Sequence, residues 1–193
     1  GGVSALLDAV VRIGPVYLPY AANLADLAPE ALALLDRLAE ANIPIRTLAA
    51  GEEVGYNQGV IRALYPARDR VHAGQNANES SLVLLVTLGG YRILTTSDVS
   101  DRYEGYFAAE CDVLKVAHHG SADSTTADFL MRTQPSLALI SAAGSRSLPS
   151  DTVLARLEAA SIPCYRTDEL GDLTLTLRGD GLTLTPYLQR SDP

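Results

Sequence analysis

Lys115-Val116-Ala117-His118-His119-Gly120-Ser121 sets two adjacent imidazoles and a hydroxyl at the end of the apolar run Val113-Leu114-Lys115-Val116. The run has the composition of a strand, so the histidines are delivered to the rim of a sheet, and Gly120 lets the backbone turn sharply behind them. Two of the chain's three histidines stand here. Neutral imidazole is the commonest protein metal ligand and a good general base. The stretch therefore reads as one edge of a metal site, against the alternative of a polar strand exit without chemistry.

Working upstream, Ser81-Leu82-Val83-Leu84-Leu85-Val86-Thr87-Leu88 and Tyr91-Arg92-Ile93-Leu94-Thr95-Thr96 flank Gly89-Gly90. Glycines accept the positive φ of a tight primed turn, so this is a hairpin. Its first strand is apolar on both faces, which places it in the middle of a sheet covered on both sides. Ser97-Asp98-Val99-Ser100 closes the hairpin, and a helix through Tyr103, Tyr106, Phe107 and Ala108 leads on to the histidine strand. If the two strands are neighbours, Asp98, His118 and His119 converge on one edge, where an α/β sheet keeps its site. An aspartate with histidines suits Zn, Mn or Fe, and a bridging carboxylate can hold two such ions. The competing reading of Asp98 is a helix N-cap, with Ser100 and Asp101 as rivals.

The remaining chain alternates helix and strand in the α/β manner. Val3 to Val11 is an amphipathic helix, Pro15 to Pro19 a short strand, Pro29 to Asn42 a second helix with Pro29 in its first turn, and Pro44 to Leu48 a strand. Gly59 to Tyr65 reads as a strand and Arg68 to Glu79 as a polar loop carrying His72, Asn76 and Asn78. Beyond the histidines, Ser124 to Thr133 is helical with Ser124 as its cap, Ser136 to Ser141 is a strand and Asp151 to Ala160 a helix. The tail reads as strand throughout: Pro163 to Arg166, then Leu173 to Leu177 and Leu182 to Tyr187 about the turn at Arg178-Gly179-Asp180-Gly181. No repeat or linker divides the 193 residues, so one domain spanning 1–193 is expected.

Composition excludes several classes of function. Apolar residues are 47% and charged residues 20%, which is ordinary for a globular chain. No apolar stretch is long enough to span a bilayer, so the chain by itself is expected to be soluble. A net charge of -8 argues against gripping nucleic acid by counterion release; a phosphodiester substrate would need metal ions to supply positive charge. Cys111 and Cys164 are too few for a disulfide framework and read as two buried reduced thiols, against the alternative of a single bridge between them. Trp is absent, and no platform for stacking bases is obvious among the 9 tyrosines.

The order Asn78-x-x-Ser81-Leu82-Val83-Leu84, hairpin, Thr96-Ser97-Asp98, Asp112-Val113-Leu114-Lys115-Val116-Ala117-His118-His119-Gly120-Ser121 and Tyr165-Arg166-Thr167-Asp168-x-x-Gly171 resembles the metallo-β-lactamase-like domain of ComEC-type competence proteins, the DNA-internalisation channels of bacteria. The resemblance implies an αββα sandwich with mixed sheets, two divalent metals (Zn or Mn) and a hydroxide that attacks a phosphodiester. It also implies a place on the extracytoplasmic face of the cytoplasmic membrane, beside the channel portion of the parent protein, with DNA as substrate, single or double stranded. Carried over by position, Asp98 is the bridging carboxylate, and His118 and His119 lie in or against the metal shell. Asn78, Lys115, Ser121, Arg166 and Asp168 line or support the cleft, with Lys115 and Arg166 as phosphate contacts. A solvent-facing Lys115 and an Arg166–Asp168 ion pair are the competing readings.

Two departures from the family pattern set further expectations. The family's His-x-Asp-x-Asp-His run ends just before a Gly-Gly, whereas this sequence starts at Gly1-Gly2, so a domain without its opening strands is expected. A His-Pro usual near the helix after Ile140-Ser141 appears here as Ser147-Leu148-Pro149. Metal binding is then weak or absent, catalysis is weak, and the exposed sheet edge invites a homodimer. The alternative function is a noncatalytic module of the same fold, packed against a channel or another protein.

Overall fold

A computed structural model describes residues 2–9, 11–20, 27–70, 76–143, 147–179 and 181–188; His72 lies outside them. In chain order the elements are α1 (Gly2–Asp8), β1 (Val16–Pro19), α2 (Pro29–Glu40), β2 (Ile45–Leu48), β3 (Glu53–Tyr56), β4 (Gly59–Tyr65), β5 (Val83–Leu88) and β6 (Tyr91–Thr95). There follow α3 (Glu104–Phe107), β7 (Val113–Lys115), α4 (Ala127–Thr133), β8 (Leu137–Ile140), α5 (Asp151–Ala159), β9 (Cys164–Arg166), α6 (Thr167–Leu170), β10 (Leu173–Arg178) and β11 (Gly181–Pro186).

The predicted hairpin is β5–β6, turned through Gly89 (φ +56°) and Gly90 (φ +86°), with Leu88 opposite Tyr91. It seeds a seven-stranded sheet of order β3-β4-β5-β6-β7-β8-β9, antiparallel from β3 to β6 and parallel from β6 to β9. Parallel neighbours need a crossover, and α3, α4 and α5 supply one for each successive pair. As the apolar pattern predicts, β5 is interior to the sheet; β3 and β9 are its edges.

Alternation of side chains along each strand sorts the sheet into two faces. On one, Leu94, Leu114, Ala138 and Ile140 pack with Phe107, Phe129, Leu130, Val153 and Leu157 from the helices. Phe107 meets Phe129 edge-on at 5.6 Å, and the fully buried Tyr65 stands 6.0 Å from Phe107. The other face carries the in-register row Thr95, Lys115 and Leu139. It is covered in part by the β10–β11 hairpin: Leu173 and Thr174 share a cleft with Lys115 and Leu139, and Leu177 lies against Gly89. The strands β1 and β2 form a separate parallel pair. The cysteines are unbridged, and burial pushes the Cys111 thiol up to about 12.

Four local readings are corrected. The strand β3 was not predicted. The predicted all-strand tail is interrupted by α6, a single helical turn. The first helix ends at Asp8 rather than Val11. The α4 cap is Thr126, which accepts the Phe129 N–H at 3.2 Å, while Ser124 is spent on the carbonyls of Ala117 and Ser121.

Candidate active site

Because β6 and β7 are parallel with Thr95 opposite Lys115, the residues that follow them leave the sheet at the same edge. Two hydrogen bonds tie the exits together: Thr96 Oγ1 donates to the Lys115 carbonyl at 2.7 Å, and the His118 N–H donates to the Ser97 carbonyl at 2.8 Å. Both exits are left-handed, with φ of +49° at Ser97, +46° at His118, +55° at His119 and +82° at Gly120. Non-glycine residues adopt this region at a cost of about 1–3 kcal/mol each, and such residues concentrate at functional sites.

The imidazole of His119 is oriented from behind. Its Nδ1 lies 2.7 Å from the Ser141 carbonyl at the end of β8. A carbonyl only accepts, so Nδ1 carries the proton and the lone pair of the neutral ring is on Nε2. That nitrogen faces Asp98 Oδ1 at 3.9 Å. Two acceptors thus face each other across a gap, and 3.9 Å is within twice the roughly 2 Å that separates such donors from a divalent ion. A histidine held through Nδ1 by a carbonyl is the usual posture of a metal-ligating ring.

His118 turns the other way. Its Nδ1 is 3.7 Å from Asp123 Oδ1, and both line a cleft of about 350 Å³ together with Asp98, Asn78, Asn76, Glu79, Ser100, Asp101 and Arg102. The structure therefore brings Asn78, Asp98 and His118 into one cleft, and His119 faces its Asp98 without lining it. Asp123 was not singled out from the sequence, although its place three residues beyond Gly120 was the available signal.

The other sequence-selected residues stand apart from this cleft. Lys115 lines a second cleft, of about 490 Å³, with Ser141, Thr167, Asp172 and Thr174; burial lowers its pKa, partly offset by the charge of Asp98. Ser121 closes the histidine turn, its N–H donating to the His118 carbonyl at 3.0 Å. Arg166 forks onto Asp168 at 3.1 and 2.6 Å and reaches Glu169 at 2.9 Å. This pairing holds the Asp168 carboxyl below the usual range. A lowered carboxylate contributes stability above its unfolded pKa and loses it as pH falls through the folded one. Arg166→Ala is accordingly expected to cost about 1–2 kcal/mol at pH 7. The cost should shrink in acid once Asp168 is protonated, and urea midpoints at neutral and acid pH measure it.

The resemblance implies a site for two divalent ions. Asp98 and His119 fit one corner of such a site. Among the described residues, however, no group of three or more His, Cys, Asp or Glu side chains is arranged to hold a metal ion. Two donors do not close a tetrahedral site.

The fold defined by this sheet and its edge is that of the metallo-β-lactamases. The metallo-β-lactamase fold protein YhfI of Bacillus subtilis superposes with a TM-score of 0.50 at 13% identity, over 85% of this chain and 79% of that one. More particularly, the chain is similar in sequence to a segment of ComEC-type competence proteins. It is 38% identical to ComE operon protein 3 of Bacillus subtilis (strain 168) over 117 residues, 57% of this chain and 15% of the relative. It is 32% identical to Competence protein ComA of Neisseria gonorrhoeae over 113 residues, 54% of this chain and 16% of that one. The chain thus spans about a sixth of the length of these relatives. No family model matches it. Among the described residues no helix is long and apolar enough to cross a membrane.

Proposed function

We propose that this chain is the metallo-β-lactamase-fold module of a DNA-uptake competence protein and that its cleft acts on DNA as a metal-dependent phosphodiesterase, weakly active as the isolated chain. The module would work at the extracytoplasmic face of the membrane, beside the channel portion of its parent. The observation that carries this reading is the His119 ring, fixed through Nδ1 by Ser141 so that Nε2 faces Asp98 at 3.9 Å. A structural histidine at a strand exit has no need of a fixed tautomer aimed at a carboxylate that it does not hydrogen-bond.

The test begins with metal content after purification without chelators, followed by Mn- or Zn-dependent cleavage of single- and double-stranded DNA. Slow metal-dependent cleavage is expected, together with a loss of about 100-fold or more in His119→Ala. Equal rates in the two proteins would end the hydrolytic reading.

A second reading, a noncatalytic module packed against a channel or protein partner, is favoured by two observations. Ser147-Leu148-Pro149 stands where the family has His-Pro. Among the described residues the facing donors come in pairs, His119 with Asp98 and His118 with Asp123, and no group of three or more is arranged to hold an ion. Absence of both bound metal and cleavage in the wild-type chain would select it.

A further inference from the structure

Arg102, on the wall of the Asp98 cleft, adjoins a row of aromatic rings that leads out to the surface. Tyr103 stacks obliquely on the buried Tyr65 at 5.6 Å on one side and lies 6.3 Å from Tyr106 on the other. The guanidinium of Arg70 sits over the Tyr106 ring at 4.2 Å. In α3 the side chains of Glu104 and Phe107 are buried, whereas Tyr106 points outward and is 52% exposed. Arg70 and Arg102 are both exposed, and among the described residues no ion pair is seen for either.

A tyrosine ordered on the surface under an exposed arginine contributes little to stability, about 0.5–1 kcal/mol as a cation–π contact. As a binding surface it has the composition of a single-strand platform: flat rings and guanidinium planes on which unpaired bases stack, interleaved with positive charge for the backbone. A duplex keeps its bases inside and cannot use such rings.

We propose that a single DNA strand runs out of the Asp98–His118 cleft past Arg102 and across Tyr103, Tyr106 and Arg70, with bases stacked on Tyr106 and on the Arg70 guanidinium. The proposal rests on the reading above that DNA is the ligand of the cleft, and adds that the strand is unpaired. It also accounts for how a chain of net charge -8 holds a polyanion. The hold comes from stacking more than from counterion release. With two arginines on the backbone, log K should fall with log salt at a slope of only about −1.4.

The test is fluorescence anisotropy of a labelled oligothymidylate, and of a duplex of equal length, with the full chain in EDTA and low salt. The single strand is expected to bind more tightly than the duplex. Tyr106→Ala should weaken it about tenfold, while Tyr106→Phe stays within about twofold of wild type. Arg70→Gln and Arg102→Gln should each reduce the salt slope by about 0.7. Circular dichroism confirms that the exposed Tyr106 variants are folded. Duplex binding as tight as single-strand binding, Tyr106→Ala bound like wild type, or no strand binding by wild type would each overturn the platform. Its failure is separable from that of the hydrolytic reading. Strand binding that depends on Tyr106, in a protein that never cleaves, leaves the platform standing and removes the hydrolase. His119-dependent cleavage with unaltered Tyr106→Ala binding does the reverse.

Discussion

Glu104→Ala is expected to lower stability by about 2–3 kcal/mol and to loosen one wall of the cleft. Glu104 is 4% exposed, and its carboxylate accepts from two successive backbone N–H groups, Thr125 at 2.5 Å and Thr126 at 3.2 Å, and from the Thr126 hydroxyl at 2.6 Å. Truncation leaves both N–H groups without their partner, and a buried donor so stranded costs about 1–3 kcal/mol. The sum is held down because burial also penalises the carboxylate, which raises its pKa. Thr126 caps α4, and Asp123, which faces His118, lies three residues before it. The loss of stability should therefore be accompanied by changed His118 ring signals in NMR. A second consequence follows from the sign of the pKa shift. A carboxyl whose folded pKa lies above its unfolded value contributes stability that is full below the unfolded pKa and is lost as pH rises through the folded one. Relative to Glu104→Gln, the wild type should gain stability as pH falls from 7 toward about 4.5. Urea midpoints that run parallel in the two proteins would show that Glu104 is not desolvated.

The sequence made the sheet edge legible and left its surroundings dark, for identifiable reasons. Asp98 and the histidines each follow an apolar run, and parallel neighbours necessarily exit at the same edge. Their convergence needed only the strand pattern and the crossover helix between them. The Arg166–Asp168 pair, two residues apart, was likewise available as an alternative. By contrast, Glu53–Tyr56 holds a glycine and one aliphatic residue, too little alternation to mark β3, and it is a strand only because β4 pairs with it. A four-residue helix such as Thr167–Leu170 falls below the length at which a 3.6 period can be read. Ser124 and Thr126 are equally good capping residues in a string, and the choice between them is made by the distant Glu104. Tyr103 and Tyr106 stand close together in the string, but Arg70 reaches Tyr106 from more than thirty positions away, so the cation over that ring had no local signal. What was missed is what long-range contacts decide.

The turn that presents the histidines should tolerate one added methyl group poorly. Gly120 has φ +82°, and a Cβ built there would lie 2.6 Å from Pro149 Cβ and 3.2 Å from Pro149 Cα. Gly120→Ala therefore carries two penalties, a left-handed backbone costing about 1–2 kcal/mol and an overlap that must be relieved by backbone movement, about 1–3 kcal/mol. Pro149 cannot simply step aside, since the Ser150 N–H donates to the Gly120 carbonyl at 2.9 Å and the Ser150 hydroxyl caps α5 through Val153. We expect a loss of about 3 kcal/mol. Gly90 is the control: its φ is +86° but nothing lies within 4 Å of its would-be Cβ, so Gly90→Ala should show the backbone penalty alone, about 1–2 kcal/mol. The excess at Gly120 measures how firmly the 147–150 segment is locked against the histidine turn. If the turn has to shift, His119 leaves the Ser141 carbonyl, and nitrogen NMR of the ring should change from a single Nδ1-protonated tautomer to an average of the two. Equal losses at Gly120 and Gly90, with the tautomer unchanged, would mean that Pro149 yields freely and that the presentation of His119 toward Asp98 does not depend on this contact.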